Sequence, residues 1–201
     1  PLHLPNDFLI SCNCPEACVW QDRPCGYASG HRLVYNDQSL LSQTILSKPV
    51  GIFECNAGCS CTDVCTNRVV QRGSLIPTLI FASASKGWGL MTLVDIPKGA
   101  FVMECTGEII THDEAELRGR TYDLGNLSFL FDLDHEAAHA ICRYTIDMAS
   151  KGNHGRFVNH SCNPNLAPFY VWIETHDKDL PHIALFAIRH IAQGEELTFD
   201  Y

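Results

Sequence analysis

The sequence lacks long apolar runs and lacks an excess of basic residues. No stretch approaches the roughly 20 apolar residues that a bilayer-spanning helix needs, so we expect no membrane partner. The 201 residues include 14 Lys and Arg against 23 Asp and Glu, a formal net charge of −9. This balance disfavours direct nucleic-acid binding, which needs a basic face. It fits a Lys/Arg-rich peptide partner, or ordinary solubility charge.

The first residues also lack the basic leader and apolar segment of a signal peptide, since the sequence opens with PLHLP. We therefore expect a reducing intracellular compartment, where clustered cysteines bind metal. Eight cysteines form two clusters: Cys12, Cys14, Cys18, Cys25, Cys55, Cys59, Cys61 and Cys65. Thiolates this close in sequence favour zinc, which is thiophilic and tetrahedral. Because eight is an even number, a disulfide framework is the alternative.

The chain divides into two regions that differ in amino-acid composition and pattern. Residues 1–75 are cysteine-rich and loop-like, which is typical of a module whose metal replaces a hydrophobic core. Residues 76–201 contain short β-branched and aromatic segments between turns. The predicted strands are Thr78–Ala82, Ala100–Cys105, Phe129–Leu133, Leu166–Ile173 and Ile183–Ile188. A short helix capped by Asp113 is expected to run through Arg118. The predicted fold is mainly β with a few short helices, preceded by an irregular zinc-binding module.

Four motifs in the second region occur together and in a recognisable order. They are KGWG at 86–89, GNHGR at 152–156, RFVNHSC at 156–162 and EELTFDY at 195–201. Together they resemble SET-domain protein lysine methyltransferases. The segment FECNAGCSCTDVCTNRVVQ, residues 53–71, resembles the pre-SET module of that family. The resemblance covers nearly the whole chain and implies a pre-SET module over 1–75 and a β-rich, threaded SET domain over 76–201. It points to the subgroup that methylates lysine nine of histone H3.

The resemblance implies methyl transfer from S-adenosylmethionine (SAM) to a lysine of the histone H3 tail, on chromatin in the nucleus. Tyr201 would be the catalytic tyrosine, and Phe199 would line the lysine channel and limit the number of methyl groups. Phe129 stands near the channel where the family usually has tyrosine. The expected cofactor-binding residues are Lys86, Gly87, Trp88, Ser150, Asn159 and His160. The lysine must attack as a neutral amine although its ordinary pKa is about 10.4, and an apolar channel beside a sulfonium disfavours the ammonium.

Several positions depart from the family pattern. Arg23 occupies the slot of a ninth pre-SET cysteine, so eight thiolates would hold two zinc ions, or three if His31 or water completes the set. Ser150 and Lys151 replace two tyrosines, which puts the role of position 150 in doubt. Cys162 would bind a further zinc only if a post-SET segment with three more cysteines follows. These departures leave an alternative function, a catalytically weak or inactive SET domain that binds a histone tail or a chromatin complex.

Overall fold

The computed structural model describes residues 10–18, 34–48, 50–83, 86–125, 129–134, 142–175 and 177–201. The helices are α1 (Gln43–Ser47) and α2 (His112–Asp123), with short 3-10 turns at Val70–Arg72 and His154–Phe157. The strands are β1 (Ile52–Phe53), β2 (Thr78–Ser83), β3 (Gly87–Thr92), β4 (Phe101–Cys105), β5 (Gly107–Thr111), β6 (Leu130–Asp132), β7 (Tyr144–Gly152), β8 (Asn159–His160), β9 (Leu166–Trp172), β10 (His182–Ala187) and β11 (Thr198–Phe199). This confirms the mainly β fold class. Within these ranges, no helix is long and apolar enough to cross a membrane.

The strands form four small sheets. The largest has the order β1-β9-β10-β4, and a second has the order β5-β7-β6. The hairpin β2–β3 is antiparallel, whereas β8 and β11 pair in parallel. In that parallel pair Asn159 lies opposite Thr198, and His160 lies opposite Phe199. The pairing therefore brings the RFVNHSC and EELTFDY motifs side by side.

The predicted strands are confirmed, with ends shifted by at most one residue, but three further strands, β3, β5 and β7, were missed. The segment Gly87–Thr92 contains two glycines and was interpreted as a cofactor motif, yet it is β3 and pairs with β2 along its whole length. Strands β5 and β7 carry many polar residues, and their pairing with each other decides their conformation. The helix prediction was wrong at both ends. Thr111 is the N-cap of α2, without a side-chain cap bond, and the helix runs to Asp123.

Two similar turns bring the C-terminal segment onto the main core. Gly99 and Gly194 end these turns with φ values of 86° and 83°, which residues with a side chain rarely adopt. Ile96 and Ile191, which precede the turns, exchange two backbone hydrogen bonds of 2.8 and 3.0 Å. Both isoleucines are completely buried. The C-terminal motif is thereby held beside the strands that precede it.

The expectation that residues 1–75 lack an apolar core is wrong for residues 34–70. Side chains from this segment share one buried cluster with the large sheet, and we call this cluster the shared core. Its members are Val34, Tyr35, Leu41, Ile45, Ile52, Val69, Val70, Phe101, Phe169, Val171, Ile173, Ala184 and Phe186. Each large apolar side chain buried here stabilises the fold by about 1.5–3 kcal/mol. The domain boundary at residue 75 stays a prediction.

Candidate metal centre and active site

Four cysteine sulfurs converge in the N-terminal region. The Sγ atoms of Cys12, Cys18, Cys55 and Cys61 all lie within 4.8 Å of one another, and all four residues are buried. Individual separations are 3.5 Å for Cys12–Cys18, 3.4 Å for Cys18–Cys55 and 4.0 Å for Cys12–Cys55. Tetrahedral zinc with Zn–S bonds of 2.3 Å needs sulfurs about 3.8 Å apart. This geometry fits zinc.

Three further cysteines surround this tetrad. Cys65 Sγ lies 3.9 Å from Cys55 Sγ, and Cys14 Sγ lies 3.7 Å from Cys18 Sγ. Cys59 Sγ accepts hydrogen bonds from the amides of Cys12 and Asn56. The described cysteines form no disulfide with one another, and seven of the eight cysteines predicted as Pre-SET ligands come together. Cys25, Arg23 and His31 lie outside the described residues, so the number of zinc ions stays a prediction.

A buried arginine neutralises part of the negative charge of the thiolates. Arg68 donates hydrogen bonds to the carbonyls of Cys55 and Asn56, at 3.1 and 2.9 Å, and lies 3.5 Å from Cys61 Sγ. Hydrogen bonds from such neighbours orient metal ligands and tune their charge. Arg68 was not predicted, and the sequence gives little sign of it beyond its position three residues after Cys65.

A buried carboxylate ties the cysteine-bearing segments to the shared core. Glu54 is fully buried and accepts hydrogen bonds from the Tyr35 hydroxyl at 2.8 Å and from the amides of Val69 and Val70 at 2.9 and 2.7 Å. Gln71 donates to it through its side-chain amide, at 2.9 Å. Burial, with Glu54 nearby, raises the pKa of Tyr35 well above its ordinary value, so the tyrosine stays neutral. With these donors the buried carboxylate is well satisfied.

The second site lies where β8 and β11 end. The Tyr201 ring is centred 4.8 Å from the Phe199 ring and 5.4 Å from the His160 ring. Its hydroxyl donates a hydrogen bond of 2.8 Å to the carbonyl of Val158. Burial raises the pKa of Tyr201, so the hydroxyl is protonated at neutral pH. The Phe199 ring is also 6.0 Å from that of Phe131. These rings form an aromatic wall.

A cavity of about 580 Å³ opens against this wall. Its largely apolar side is lined by Phe131, Met148, Val158, Tyr170, Phe199 and Tyr201. Carboxylates also line it, from Glu116, Asp123, Asp132 and Asp200. Such a cavity fits a long apolar stem that carries a basic group. Of the six residues on the apolar side, only Phe199 and Tyr201 were predicted as site residues, and the other four were not. Val158 could have been found because it lies in the RFVNHSC motif, and Phe131 because it lies two residues after Phe129, whereas Met148 and Tyr170 lie in no motif.

Five of the predicted cofactor residues come together. Lys86 Nζ donates to the His160 carbonyl at 3.2 Å, and Asn159 Nδ2 donates to the Trp88 carbonyl at 3.2 Å. Gly87 has a φ of 77° at the start of β3. The Trp88 residue is 61% exposed, so its ring is accessible to a ligand. This open aromatic and backbone surface beside the Tyr201 ring fits a nucleoside cofactor.

The other predicted site residues lie apart from this group. The Phe129 ring packs 4.8 Å from the Arg156 guanidinium and 6.1 Å from the Tyr122 ring, and it is not among the described residues that line the cavity. Ser150 is exposed on β7. Cys162 is exposed with its sulfur 3.3 Å from His160 Nε2. The roles of these residues stay predictions.

Fold and sites together define a β-rich protein with a thiolate metal module and an aromatic-walled cavity. Comparison with models of protein families identifies the family within this class. The SET domain matches residues 87–201, and the Pre-SET motif matches residues 2–68. The chain belongs to the SET-domain family and carries a Pre-SET motif ahead of the SET domain.

Relatives extend the comparison. Human histone-lysine N-methyltransferase SUV39H2 is 44% identical over 201 residues, which covers 100% of this chain and 47% of the relative. The structure of the Neurospora SET-domain protein DIM-5, a histone lysine methyltransferase, superimposes with a TM-score of 0.86 at 34% identity and covers 100% of this chain and 85% of that one. The structure of KRYPTONITE in complex with DNA, an H3(1-15) peptide and SAH superimposes with a TM-score of 0.81 at 29% identity. The match covers 100% of this chain and 39% of that one. The chain spans about half the length of the curated relatives it matches.

Proposed function

We propose that this chain is the catalytic part of a SAM-dependent histone-lysine N-methyltransferase. Its substrate is the histone H3 tail, at lysine nine, and it acts on chromatin in the nucleus. The observation that carries the proposal is the β8–β11 pairing, because it sets His160 beside Phe199 and Tyr201, and the latter two residues line the cavity. Membership of the SET-domain family and the named activities of the relatives support the same function.

The cavity favours the reactive form of the lysine. The stem of the substrate lysine would lie among the aromatic and apolar side chains, where its amine loses contact with water. Desolvation disfavours the ammonium and lowers the pKa of the amine. The carboxylates of Glu116 and Asp123 on α2 also line the cavity and would attract the basic peptide. The proton leaves to water, so no carboxylate need act as a base at the reacting atoms.

SAM would supply an activated methyl group on a sulfonium, next to Tyr201. Lys86, Trp88, Asn159 and His160 would hold it at the exposed end of the site. The Tyr201 hydroxyl donates a hydrogen bond to the Val158 carbonyl, which leaves its oxygen lone pairs available as acceptors. They can orient the amine and stabilise the partial positive charge of the transferring methyl. Such preorganised polar groups supply much of enzymatic rate enhancement.

The part of the cavity wall formed by Phe199 and Phe131 is apolar, and this affects how many methyl groups can be transferred. Phe199 and Phe131 carry no hydroxyl that would hold the amine or a water molecule there. A methylated amine can therefore rotate and react again, and we expect dimethyl or trimethyl product. Product mass distinguishes these from monomethyl product.

Zinc ions would hold the Pre-SET region through Cys12, Cys14, Cys18, Cys55, Cys59, Cys61 and Cys65 together with Cys25. The described sulfurs fit such a cluster. Cys162 would join a separate zinc site only where three further thiolates are supplied to it.

A second candidate function is a weak or inactive SET domain that binds histone tails. Ser150 and Lys151 favour it, because both are exposed and Lys151 pairs with Glu108 at 3.8 Å instead of offering an aromatic ring to the cofactor. Against it, Phe129 is not among the described residues that line the cavity, so the cavity wall does not lose a hydroxyl at this position.

The test is methylation of a peptide with the first fifteen residues of histone H3, using the full-length protein, SAM and mass spectrometry. We expect dimethyl and trimethyl product, and none on a control peptide with arginine at position nine. SAM and peptide binding by calorimetry without any product would overturn the enzymatic proposal and favour the binding module. Equal product on the control peptide would overturn the choice of lysine.

A further inference from the structure

Helix α2 forms one wall of the cavity. It contributes six lining residues at helical spacing: His112, Ala115, Glu116, Gly119, Arg120 and Asp123. Residues three and four apart lie on one face of a helix, so this is a single face along the whole element. The position of α2 therefore sets the width of the cavity on this side.

The helix has little apolar packing to fix that position. Ala115 is its only buried residue, and Leu117 is 62% exposed. A helix of twelve residues is marginal in isolation and usually depends on a buried apolar face. Other contacts must hold α2 against the sheet.

A polar contact on another face supplies this support. Arg118 Nη1 and the Tyr122 hydroxyl both donate to Asp147 Oδ2 on β7, at 2.8 and 2.9 Å. The other oxygen of Asp147 accepts from the Ala149 amide at 2.8 Å. The Asp147 side chain is only 1% exposed. We call Arg118, Tyr122 and Asp147 the Asp147 anchor.

Arg118 extends the contact beyond Asp147. It also pairs with Glu108 of β5 at 2.9 Å and with Glu114 of its own helix at 2.7 Å. Burial acts to raise the pKa of Asp147, but hydrogen bonds from Arg118, Ala149 and Tyr122 outweigh it, and the pKa lies below its ordinary value. Asp147 is therefore a carboxylate at neutral pH.

We infer that Arg118, Tyr122 and Asp147 are positioning residues, which hold α2 as the substrate-binding wall and so set peptide affinity without touching the peptide. None of the three is among the described residues that line the cavity. Five of the predicted cofactor residues lie on β3, on β8 and in the segment before β3; the sixth, Ser150, lies on β7, and none lies on α2. Loss of the anchor should therefore affect peptide binding and leave SAM binding intact. This inference rests on the proposed function.

The first test uses kinetics of the full-length protein with the H3 peptide. Arg118→Met leaves the buried Asp147 carboxylate without its cationic partner. We expect the peptide KM to rise about tenfold, with the SAM Kd by calorimetry within about twofold of wild type and kcat at saturating peptide largely retained. Arg118→Lys should recover part of the lost peptide affinity, because lysine restores the positive charge but not the several N–H donors of the planar guanidinium. Leu117→Ala, on the exposed side of the same helix, is the matched control and should change neither constant.

The second test does not depend on catalysis. Hydrogen exchange should be faster at the α2 amides in Arg118→Met, and to a smaller degree in Tyr122→Phe, with β9 and β10 amides unchanged. Tyr122→Phe also serves if Arg118→Met does not fold. Unchanged hydrogen exchange at the α2 amides, or an equal loss of SAM affinity and peptide affinity, would overturn the inference that these residues position α2. If α2 exchange is faster in the variant but the wild-type protein methylates no peptide, the anchor does stabilise the helix. That result would contradict the proposed function and not the anchor.

Discussion

The cysteine loops, residues 10–18 and 54–66, and the strands of the second region are stabilised in different ways. The loops contain no helix or strand in their described residues, and converging sulfurs, Arg68 and Glu54 hold them. The strands pack apolar side chains such as Leu90, Ile183 and Leu185 into a buried core. The loops thus depend on metal and redox state, while the strands depend on packing. Residues 34–53 connect the two, because their apolar side chains enter the shared core.

Loss of the metal should have the largest effect and should affect the loops first. Cys55→Ser removes a buried member of the sulfur tetrad, and zinc contributes about 10 kcal/mol or more to the folding of such modules. We expect a large loss of bound zinc by elemental analysis and rapid proteolysis within the loops, with the strands still protected. Cys142→Ser is the control, because Cys142 is half-buried outside the cluster and donates to the Tyr144 carbonyl. Equal zinc content in the two variants would contradict the metal centre.

A substitution in the shared core tests whether the two regions unfold together. Phe186 is fully buried and its ring lies 5.4 Å from that of Phe101 and 6.2 Å from that of Tyr35. Phe186→Ala should lower the free energy of unfolding by about 3–5 kcal/mol. In denaturant unfolding, probes in residues 34–53 and in the large sheet should shift together. Leu124→Ala, at an 89% exposed position, should shift neither probe. Destabilisation of the sheet alone would show that the two regions fold independently.

The smallest effect concerns pH and the second region. His182 lies 2.7 Å from Glu104 and 2.6 Å from Glu174. Burial acts to lower the pKa of His182, but the two carboxylates outweigh it and raise the pKa to about 10. A raised pKa stabilises the fold fully below pH 6.5, the ordinary value, and this contribution is lost as pH rises towards 10. Metal binding by thiolates has the opposite dependence and weakens at low pH.

The variant His182→Gln checks this dependence. It should be less stable than wild type by about 1 kcal/mol near pH 6, a modest value because Glu174 is largely exposed. The difference should shrink between pH 6.5 and 10 in urea unfolding. A difference that stays constant over this range would show that the histidine acts through packing rather than charge.

The sequence predicted those features that local patterns encode. Spacing in the sequence indicated the cysteines that converge in the N-terminal region, and β-branched runs identified strands such as β9 and β10. Features that depend on long-range contacts were missed. The buried Arg68 and Glu54 have partners on other segments, and β7 is polar because its Asp147 meets α2. The cavity is likewise assembled from distant segments. Of these, α2, β6, β7 and β9 contain no recognised motif, whereas residues 155–158 and 199–201 belong to motifs seen in the sequence.

The most direct test of the account is methyl transfer by the variant Tyr201→Phe of the full-length protein. The substitution removes one hydroxyl, which donates to the Val158 carbonyl, and keeps the ring contacts with Phe199 and His160. We predict that kcat on the histone H3 peptide falls about 100-fold, while the SAM Kd by calorimetry and the melting temperature stay near wild type. A fully active Tyr201→Phe protein would contradict the assignment of this aromatic site as the catalytic centre.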